Sequence, residues 1–221
     1  MGGRDAGGRW VSLERRVTIE VPGGAQLEGQ LGLIQDGGAG LVLCHPHPLY
    51  GGDMDNPVVV RAAEVAREEG VGTLRFNFRG VGGSTGVHAH GEGEQEDLRA
   101  AMALLRSLLP GGGPFGLLGY SFGAWIAARV AGSESRLAAL GLVAPPLGML
   151  DFSNLRAAGQ ELLLVAGTRD GYCLVPALEE MAARTPGARA VIVEGADHFF
   201  FGKLFPLGEA IRAWTRRWAA G

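Results

Sequence analysis

A serine flanked by two glycines is the first feature of this sequence that could do chemistry. Residues 119–123 read Gly-Tyr-Ser-Phe-Gly, so Ser121 has a glycine two positions away on each side. The chain contains 38 glycines, and a glycine-rich turn without any chemical role would give the same spacing. The flanking segments favour chemistry, because an apolar strand-like run (114–120) leads directly into a helix-like run (122–131).

A sharp turn from strand to helix has consequences for the serine within it. Such a turn strains the backbone and projects the serine Oγ above the sheet edge, while the crowded flanking positions require small residues. The start of the helix also points unpaired N–H groups at the same place, so the Phe122 N–H is positioned to bind a developing oxyanion. The pattern therefore predicts that Ser121 is a nucleophile.

A serine hydroxyl needs a base that takes its proton, and the chain has five histidines. His198 lies in GADHFFFGK, just after the last predicted strand, and can reach the carboxyl edge of the sheet. His88 and His90 lie in a polar, glycine-rich loop, and we interpret both as solvated residues. Their H-x-H spacing could bind a metal, but no third ligand in a matching context is visible, so we predict no metal site.

The base in turn needs a carboxylate that fixes its tautomer. Asp170 follows the predicted strand 161–167, in GTRDGY, at the same edge of the sheet. Asp197 is adjacent to His198, and neighbours in a loop rarely present side chains to each other, so we interpret Asp197 as structural. Ser121, Asp170 and His198 occur in the chain order expected of this architecture, and we predict them as the catalytic residues.

The segments that must position these residues alternate between strand-like and helix-like patterns. The predicted strands are 16–21, 27–34, 40–45, 72–78, 114–120, 136–145, 161–167 and 188–195. The predicted helices are 57–69, 94–109, 122–131, 175–185 and 207–220. This order indicates an α/β fold with a mostly parallel, twisted sheet of about eight strands, an antiparallel N-terminal hairpin and helices on both faces.

The distribution of these predicted elements along the chain also indicates the domain organisation. Residues 1–10 are rich in glycine and charge and are expected to form a flexible tail, which leaves 11–221 as a single domain. Only 15 residues lie between Pro145 and Glu161, too few for a cap domain.

The composition excludes several classes of protein. The 221 residues are 47% hydrophobic and 19% charged, as in globular domains, and the net charge of -3 comes without a basic cluster for nucleic acid or a membrane surface. No signal peptide and no run of about 18 apolar residues is visible, so we expect a cytoplasmic protein. Cys44 and Cys173 do not make a disulfide framework, and Cys44 is expected in the core.

Taken together, these motifs resemble the α/β-hydrolase superfamily over nearly all of residues 16–220. A more specific resemblance is to compact, lidless bacterial serine esterases related to the dienelactone-hydrolase-like and acyl-peptidase-like branches. It rests on CHPHPLYGGDMDNPVV (44–59), LRFNFRGVGGSTG (74–86), GYSFG (119–123), GTRDGY (167–172) and GADHFFFGK (195–203). The resemblance implies a carboxylic ester hydrolase that requires no cofactor and acts on a small-molecule ester.

The resemblance also implies a second oxyanion donor in the loop after the third strand, usually just beyond a His-Gly pair. Here His45-Pro46 replaces that pair, and Pro46 and Pro48 have no N–H. The backbone N–H of His47 is therefore the first choice, while the side chains of His45 and His47 are expected to be structural. If the loop bends further, the donor is Leu49 or Tyr50.

Without a lid the site should be shallow and open. The expected rim is largely apolar and favours short- or medium-chain esters; it consists of Tyr50, Phe122, Leu147, Met149, Tyr172 and Phe199. Peptide or thioester cleavage would use the same groups. The alternative from another class is a binding protein that keeps the fold without turnover.

The glycine-rich loop at 80–86 raises one more alternative, a nucleotide-dependent α/β enzyme. The loop lacks the spacing and the lysine of a P-loop, and Thr85 occupies the place of the last glycine in G-x-G-x-x-G. We therefore disfavour that alternative, and we expect Asn77 and Arg79 to tie the loop down by hydrogen bonds.

Overall fold

The computed structural model describes residues 3–4, 10–11, 14–32, 38–153, 155 and 159–219. Its strands, in chain order, are β1 (Gly3–Arg4), β2 (Trp10–Val11), β3 (Arg15–Glu20), β4 (Gln26–Gly32), β5 (Gly40–Cys44), β6 (Gly72–Phe76), β7 (Phe115–Tyr120), β8 (Ala139–Val143), β9 (Glu161–Gly167) and β10 (Ala188–Val193). Its α-helices are α1 (Pro57–Glu68), α2 (Glu92–Leu108), α3 (Phe122–Ala131), α4 (Val175–Arg184) and α5 (Leu204–Ala219).

Within these ranges, eight strands form one sheet in the order β10-β9-β8-β7-β5-β6-β4-β3. The strands from β5 to β10 pair in parallel, whereas β3 pairs antiparallel with β4 and β4 pairs antiparallel with β6. The predicted fold class, including the antiparallel N-terminal hairpin, is confirmed. The parallel strands end at one side of the sheet, called the carboxyl edge below.

The flexible tail predicted for residues 1–10 falls mostly outside the described residues. Of that segment, Gly3–Arg4 is described as a short strand that pairs antiparallel with Trp10–Val11. Residues 33–34 of the second predicted strand and residue 220 of the last predicted helix also lie outside the described part.

Two predicted bounds differ from the structure by more than two residues. The strand predicted at 136–145 is limited to Ala139–Val143. It begins late because 135–136 form a turn, in which the Leu137 N–H donates to Glu134 O over 3.3 Å, and it ends where Ala144 has a φ of 45°. The last helix begins at Leu204 rather than at 207. Pro206 lies within its first turn, where proline is tolerated.

The core lies in two layers, one on each face of the sheet. Helices α2, α3 and α4 pack on one face, and α1 and α5 pack on the other. Strand β5 shows why its whole sequence is apolar: Val42 and Cys44 face the first layer, whereas Leu41 and Leu43 face the second. Cys44 is fully buried as expected, and burial raises the pKa of its thiol.

The carboxyl edge is left uncovered by any large insertion in the described residues. The connection from β8 to β9 spans 144–160, and its described residues form neither a helix nor a strand. Across the described ranges, no helix has the length and apolar character needed to cross a bilayer.

Candidate active site

Ser121 occupies the turn between β7, which lies in the middle of the sheet, and α3. Its φ of 55° and ψ of -116° are unusual for a residue with a side chain, as expected for a sharp strand-to-helix turn. Backbone hydrogen bonds hold the turn, since the Ser121 N–H donates to Val143 O over 2.9 Å and the Ala124 N–H donates to Ser121 O over 2.9 Å. The Oγ makes no capping bond to α3 and is free to meet other groups.

The two flanking glycines are required by close backbone approach. A Cβ on Gly119 would overlap the carbonyl oxygen of Gly123, and a Cβ on Gly123 would overlap the carbonyl oxygens of Cys44 and His45. The first turn of α3 therefore packs directly against the end of β5. This contact places the loop after β5 beside the turn that holds Ser121.

His198 and Asp170 meet Ser121 at the carboxyl edge. The Nε2 atom of His198 lies 3.0 Å from the Oγ of Ser121, and its Nδ1 atom lies 2.9 Å and 3.0 Å from the two carboxylate oxygens of Asp170. A carboxylate accepts hydrogen bonds only, so the proton sits on Nδ1 and leaves Nε2 as the acceptor for the serine hydroxyl. The three side chains form one hydrogen-bonded chain.

The carboxylate of Asp170 is itself fixed. It is buried, and its Oδ1 accepts the backbone N–H groups of Tyr172 (2.8 Å) and Cys173 (2.9 Å) in the loop after β9. Asp197 has a different environment, because its Oδ1 accepts the N–H groups of Phe199 and Phe201, each over 3.1 Å. Its carboxylate thus shapes the loop after β10.

Solved structures with this architecture share a third of their sequence with the chain. The lidless α/β serine hydrolase XC6422 from Xanthomonas campestris is 33% identical, with a TM-score of 0.86, over 95% of this chain and 97% of that one. An α/β serine hydrolase homologue from Coxiella burnetii is 34% identical, with a TM-score of 0.83, over 91% of this chain and 97% of that one. The chain belongs to the α/β-hydrolase superfamily.

A further relative of this hydrolase is known by sequence. The uncharacterized protein RP471 of Rickettsia prowazekii is 34% identical over 179 residues, which cover 77% of this chain and 75% of that protein. No family model matches the chain.

The candidate oxyanion donors of the hydrolase differ in how their N–H groups are used. The Leu49 N–H donates to His47 Nδ1 over 3.2 Å, and the Tyr50 N–H donates to His47 O over 3.1 Å. Among the described residues, the N–H groups of His47 and Phe122 donate to no protein acceptor. The His47 and Phe122 rings are also in contact, with centroids 4.8 Å apart.

The side chain of His45 is a structural group, as expected. Its Nδ1–H donates to Pro46 O over 2.6 Å, and its Nε2 accepts the Phe78 N–H over 3.0 Å. Burial lowers the pKa of His45 to about 4, so the imidazole is neutral and both of its nitrogens are satisfied. Burial and the nearby His88 also lower the pKa of His47.

Five of the six predicted rim residues divide into two groups, while the sixth, Phe122, is buried and contacts the His47 ring. Tyr172 and Phe199 flank the imidazole of His198, with ring centroids 4.7 Å and 5.6 Å from it, and Tyr50 contacts the His47 ring at 4.8 Å. Leu147 and Met149 instead line an open groove of about 410 Å³ against α4. No pattern in the sequence distinguishes the residues beside the histidines from those in the groove against α4.

The interpretation of His88 as a solvated residue is wrong, whereas His90 is exposed. The His88 side chain is only 9% exposed, and its Nδ1 lies 2.8 Å from the fully buried Glu94 carboxylate. Glu94 also accepts the N–H groups of Ala89 and Gly91, at 2.8 Å and 2.7 Å. Since α2 begins at Glu92, Glu94 lies in its first turn, where a buried carboxylate can hold the preceding loop.

The loop at 80–86 is tied down by Asn77 as expected, whereas Arg79 bonds to α2 and not to the loop. The Asn77 carbonyl oxygen accepts the hydroxyl of Ser84 over 2.7 Å, and its side-chain amide donates to Glu28 over 3.0 Å. Arg79 is bound to the buried Asp97, with a shortest N···O distance of 2.7 Å. No cluster of three or more His, Cys, Asp or Glu side chains suited to a metal ion occurs in the described part of the chain.

Proposed function

We propose that this hydrolase is a serine carboxylesterase that cleaves short- or medium-chain esters through an acyl-enzyme intermediate. The observation that carries the proposal is the hydrogen-bonded chain from Ser121 through His198 to the buried Asp170. This arrangement activates a hydroxyl, because the imidazole accepts its proton while the carboxylate stabilises the imidazolium that forms.

The proposed reaction has two halves. In the first, His198 takes the proton of Ser121 as Oγ attacks the ester carbonyl, and the protonated imidazole then gives that proton to the leaving alcohol. In the second, His198 activates a water that attacks the acyl-enzyme, and the acid leaves as Ser121 recovers its proton. The N–H groups of Phe122 and His47 are the proposed oxyanion donors. Loss of one such donor typically costs ~10²–10³ in rate.

The surface around Ser121 supports an apolar substrate. Nine large hydrophobic side chains are exposed among the described residues, and each follows a parallel strand at the carboxyl edge. They are Leu49, Tyr50, Val87, Met149, Tyr172, Leu174, Phe199, Phe201 and Phe205. A concentration of exposed apolar side chains on one side of a protein marks a binding surface. Of the nine, Tyr172 and Phe199 contact the His198 ring, and the acyl or alkyl group of an ester would lie against these two.

Thioester and peptide cleavage would use the same three side chains, so substrate comparison has to separate these reactions. Matched acetyl esters, thioesters and anilides should be turned over in that order of preference if the hydrolase is an esterase. A higher kcat/KM for the thioester would indicate a thioesterase instead, and a higher kcat/KM for the anilide would indicate a peptidase.

A fluorophosphonate probe tests the proposed chemistry directly. We expect covalent labelling of the purified protein, complete loss of labelling in Ser121→Ala, and unchanged labelling in Ser107→Ala. Ser107 is a matched control because its exposed hydroxyl only donates to Leu104 O within α2. A folded wild-type protein that is neither labelled nor active on p-nitrophenyl esters would favour the binding-protein alternative.

A further inference from the structure

Tyr120 joins the turn of Ser121 to the loop of His198. Its side chain is 1% exposed, and its hydroxyl donates to the backbone carbonyl oxygen of His198 over 2.9 Å. The two rings lie with their centroids 5.7 Å apart. Tyr120 therefore contacts the residue that carries the imidazole while it is covalently adjacent to the residue that carries the hydroxyl.

The loop of His198 is also attached at other points, for example by the Arg169 N–H, which donates to Ala196 O over 2.9 Å. Asp197 holds the N–H groups of Phe199 and Phe201, and the buried Phe200 anchors the loop with a φ of 53°. Among the described residues, the carbonyl oxygen of His198 accepts a hydrogen bond from Tyr120 alone. The tyrosine hydroxyl thus fixes the peptide unit from which the imidazole projects.

The chemistry of the tyrosine suits this task. Burial and the nearby carboxylates of Asp170 and Asp197 raise the pKa of Tyr120, so its hydroxyl stays protonated and remains a donor. A phenylalanine at 120 would fill nearly the same volume and would remove only that donor. The register of β7 keeps the ring in place, because Tyr120 pairs with Val143 of β8.

We propose that Tyr120 is a positioning residue that holds the imidazole of His198 in reach of both Ser121 and Asp170. The inference rests on the proposed function, since it assigns Tyr120 a part in the same reaction. Small displacements of a catalytic base carry large penalties, of about 100-fold for 1 Å. Tyr120, which precedes the serine in the G-x-S-x-G motif, would then set the position of the His198 imidazole.

The test compares Tyr120→Phe with the wild-type hydrolase. We expect kcat on p-nitrophenyl acetate and the rate of fluorophosphonate labelling to fall about 10-fold, with KM nearly unchanged. We also expect the downfield proton resonance of His198 Nδ1–H to broaden or shift, because the imidazole no longer holds one position against Asp170. If Tyr120 served only folding, the folded Tyr120→Phe variant would keep the wild-type kcat, KM and His198 resonance.

Thr215→Val is the matched control, since it also removes a buried hydroxyl that donates to a backbone carbonyl, in this case Ile211 O over 2.8 Å. We expect it to lower the thermal midpoint and to leave kcat and the resonance unchanged. If Tyr120→Phe keeps wild-type kcat, labelling rate and resonance, the inference is overturned. If the wild type is inert to ester and probe, the proposed function fails, and the resonance still decides whether Tyr120 positions His198.

Discussion

The imidazole Nε2 of His198 lies 3.0 Å from the Oγ of Ser121, although 77 positions of sequence separate the two residues. They follow β10 and β7, which are three strands apart in the sheet. Neighbouring strands are spaced by about 4.8 Å, so the loop after β10 has to cross about 14 Å of the carboxyl edge. Asp170, which follows the intervening β9, meets the imidazole on the way.

The two aspartates near His198 can be told apart by substitution. In Asp170→Asn the amide oxygen is needed by the N–H groups of Tyr172 and Cys173, so the amide NH2 faces Nδ1 and favours the wrong tautomer of His198. We expect kcat on p-nitrophenyl acetate to fall by about 10³- to 10⁴-fold. Asp197→Asn keeps an oxygen that can accept the N–H groups of Phe199 and Phe201, and we expect less than a 10-fold loss. Steady-state kinetics on both folded variants checks this. An inactive Asp197→Asn beside an active Asp170→Asn would reverse the assignment.

Much of the fold and the core of the candidate site could be predicted, because local patterns determine them. A strand that turns sharply into a helix needs small residues around the turn, and the five residues 119–123 show this requirement directly. Continuous apolar runs such as β5 indicate strands covered on both faces, and parallel strands bring their carboxyl ends to one edge. His198 and Asp170 could therefore be placed at that edge without knowing any long-range contact.

The remaining features depend on contacts that no local pattern records. His88 reads as a polar loop residue, yet the loop folds it against Glu94 and the rings of His47 and Phe122. The hydrogen bond of Tyr120 could not be predicted for the same reason, since its partner lies 78 positions away. Neither the burial of a loop residue nor the partner of a buried hydroxyl follows from periodicity.

The packing of α3 against β5 predicts the effect of a single methyl group. Gly123→Ala places a Cβ against the carbonyl oxygens of Cys44 and His45, which are backbone atoms that cannot move aside alone. We expect a loss of about 3 kcal/mol or more in the free energy of unfolding, and a loss of esterase activity as the turn of Ser121 shifts. Denaturant unfolding measures the first and p-nitrophenyl acetate the second.

Gly148→Ala is the control for this prediction, because a Cβ at that position meets no atom within 4 Å. We expect its unfolding free energy to stay within about 0.5 kcal/mol of the wild type. Equal stability of the Gly123→Ala and Gly148→Ala variants would contradict the close approach of α3 to β5.

The aromatic pair beside His198 should set the preference for the acyl group. Tyr172 and Phe199 are 47% and 66% exposed, so each can be replaced by serine with little effect on folding. We expect the double variant to raise KM for a medium-chain p-nitrophenyl ester at least about 5-fold, since two rings that contribute about 0.5–1.5 kcal/mol each contribute about 1–3 kcal/mol together. The acetate ester is the internal control, and equal losses on both esters would argue against a role in chain recognition.

His45 predicts a pH dependence of stability that is separate from catalysis. Its pKa of about 4 in the folded protein lies below the ordinary value of 6.5, so the unfolded chain binds more protons between these values. The unfolding free energy therefore falls as the pH decreases from 6.5 toward 4. Between pH 7 and pH 5 we expect a loss of about 2 kcal/mol from this residue, to which His47 adds in the same direction.

Denaturant unfolding of His45→Gln at pH 7 and pH 5 checks this origin. The glutamine can still accept the Phe78 N–H but has no proton to gain, so we expect the variant to be less stable at pH 7 and to lose about 2 kcal/mol less on acidification. His90→Asn, which replaces an exposed histidine and tolerates the φ of 51° at that position, should keep the wild-type dependence. His45→Gln cannot take up a proton at this position. If the variant loses as much stability as the wild type between pH 7 and pH 5, the acid sensitivity must come from other groups, because the proton uptake of His45 no longer contributes to it.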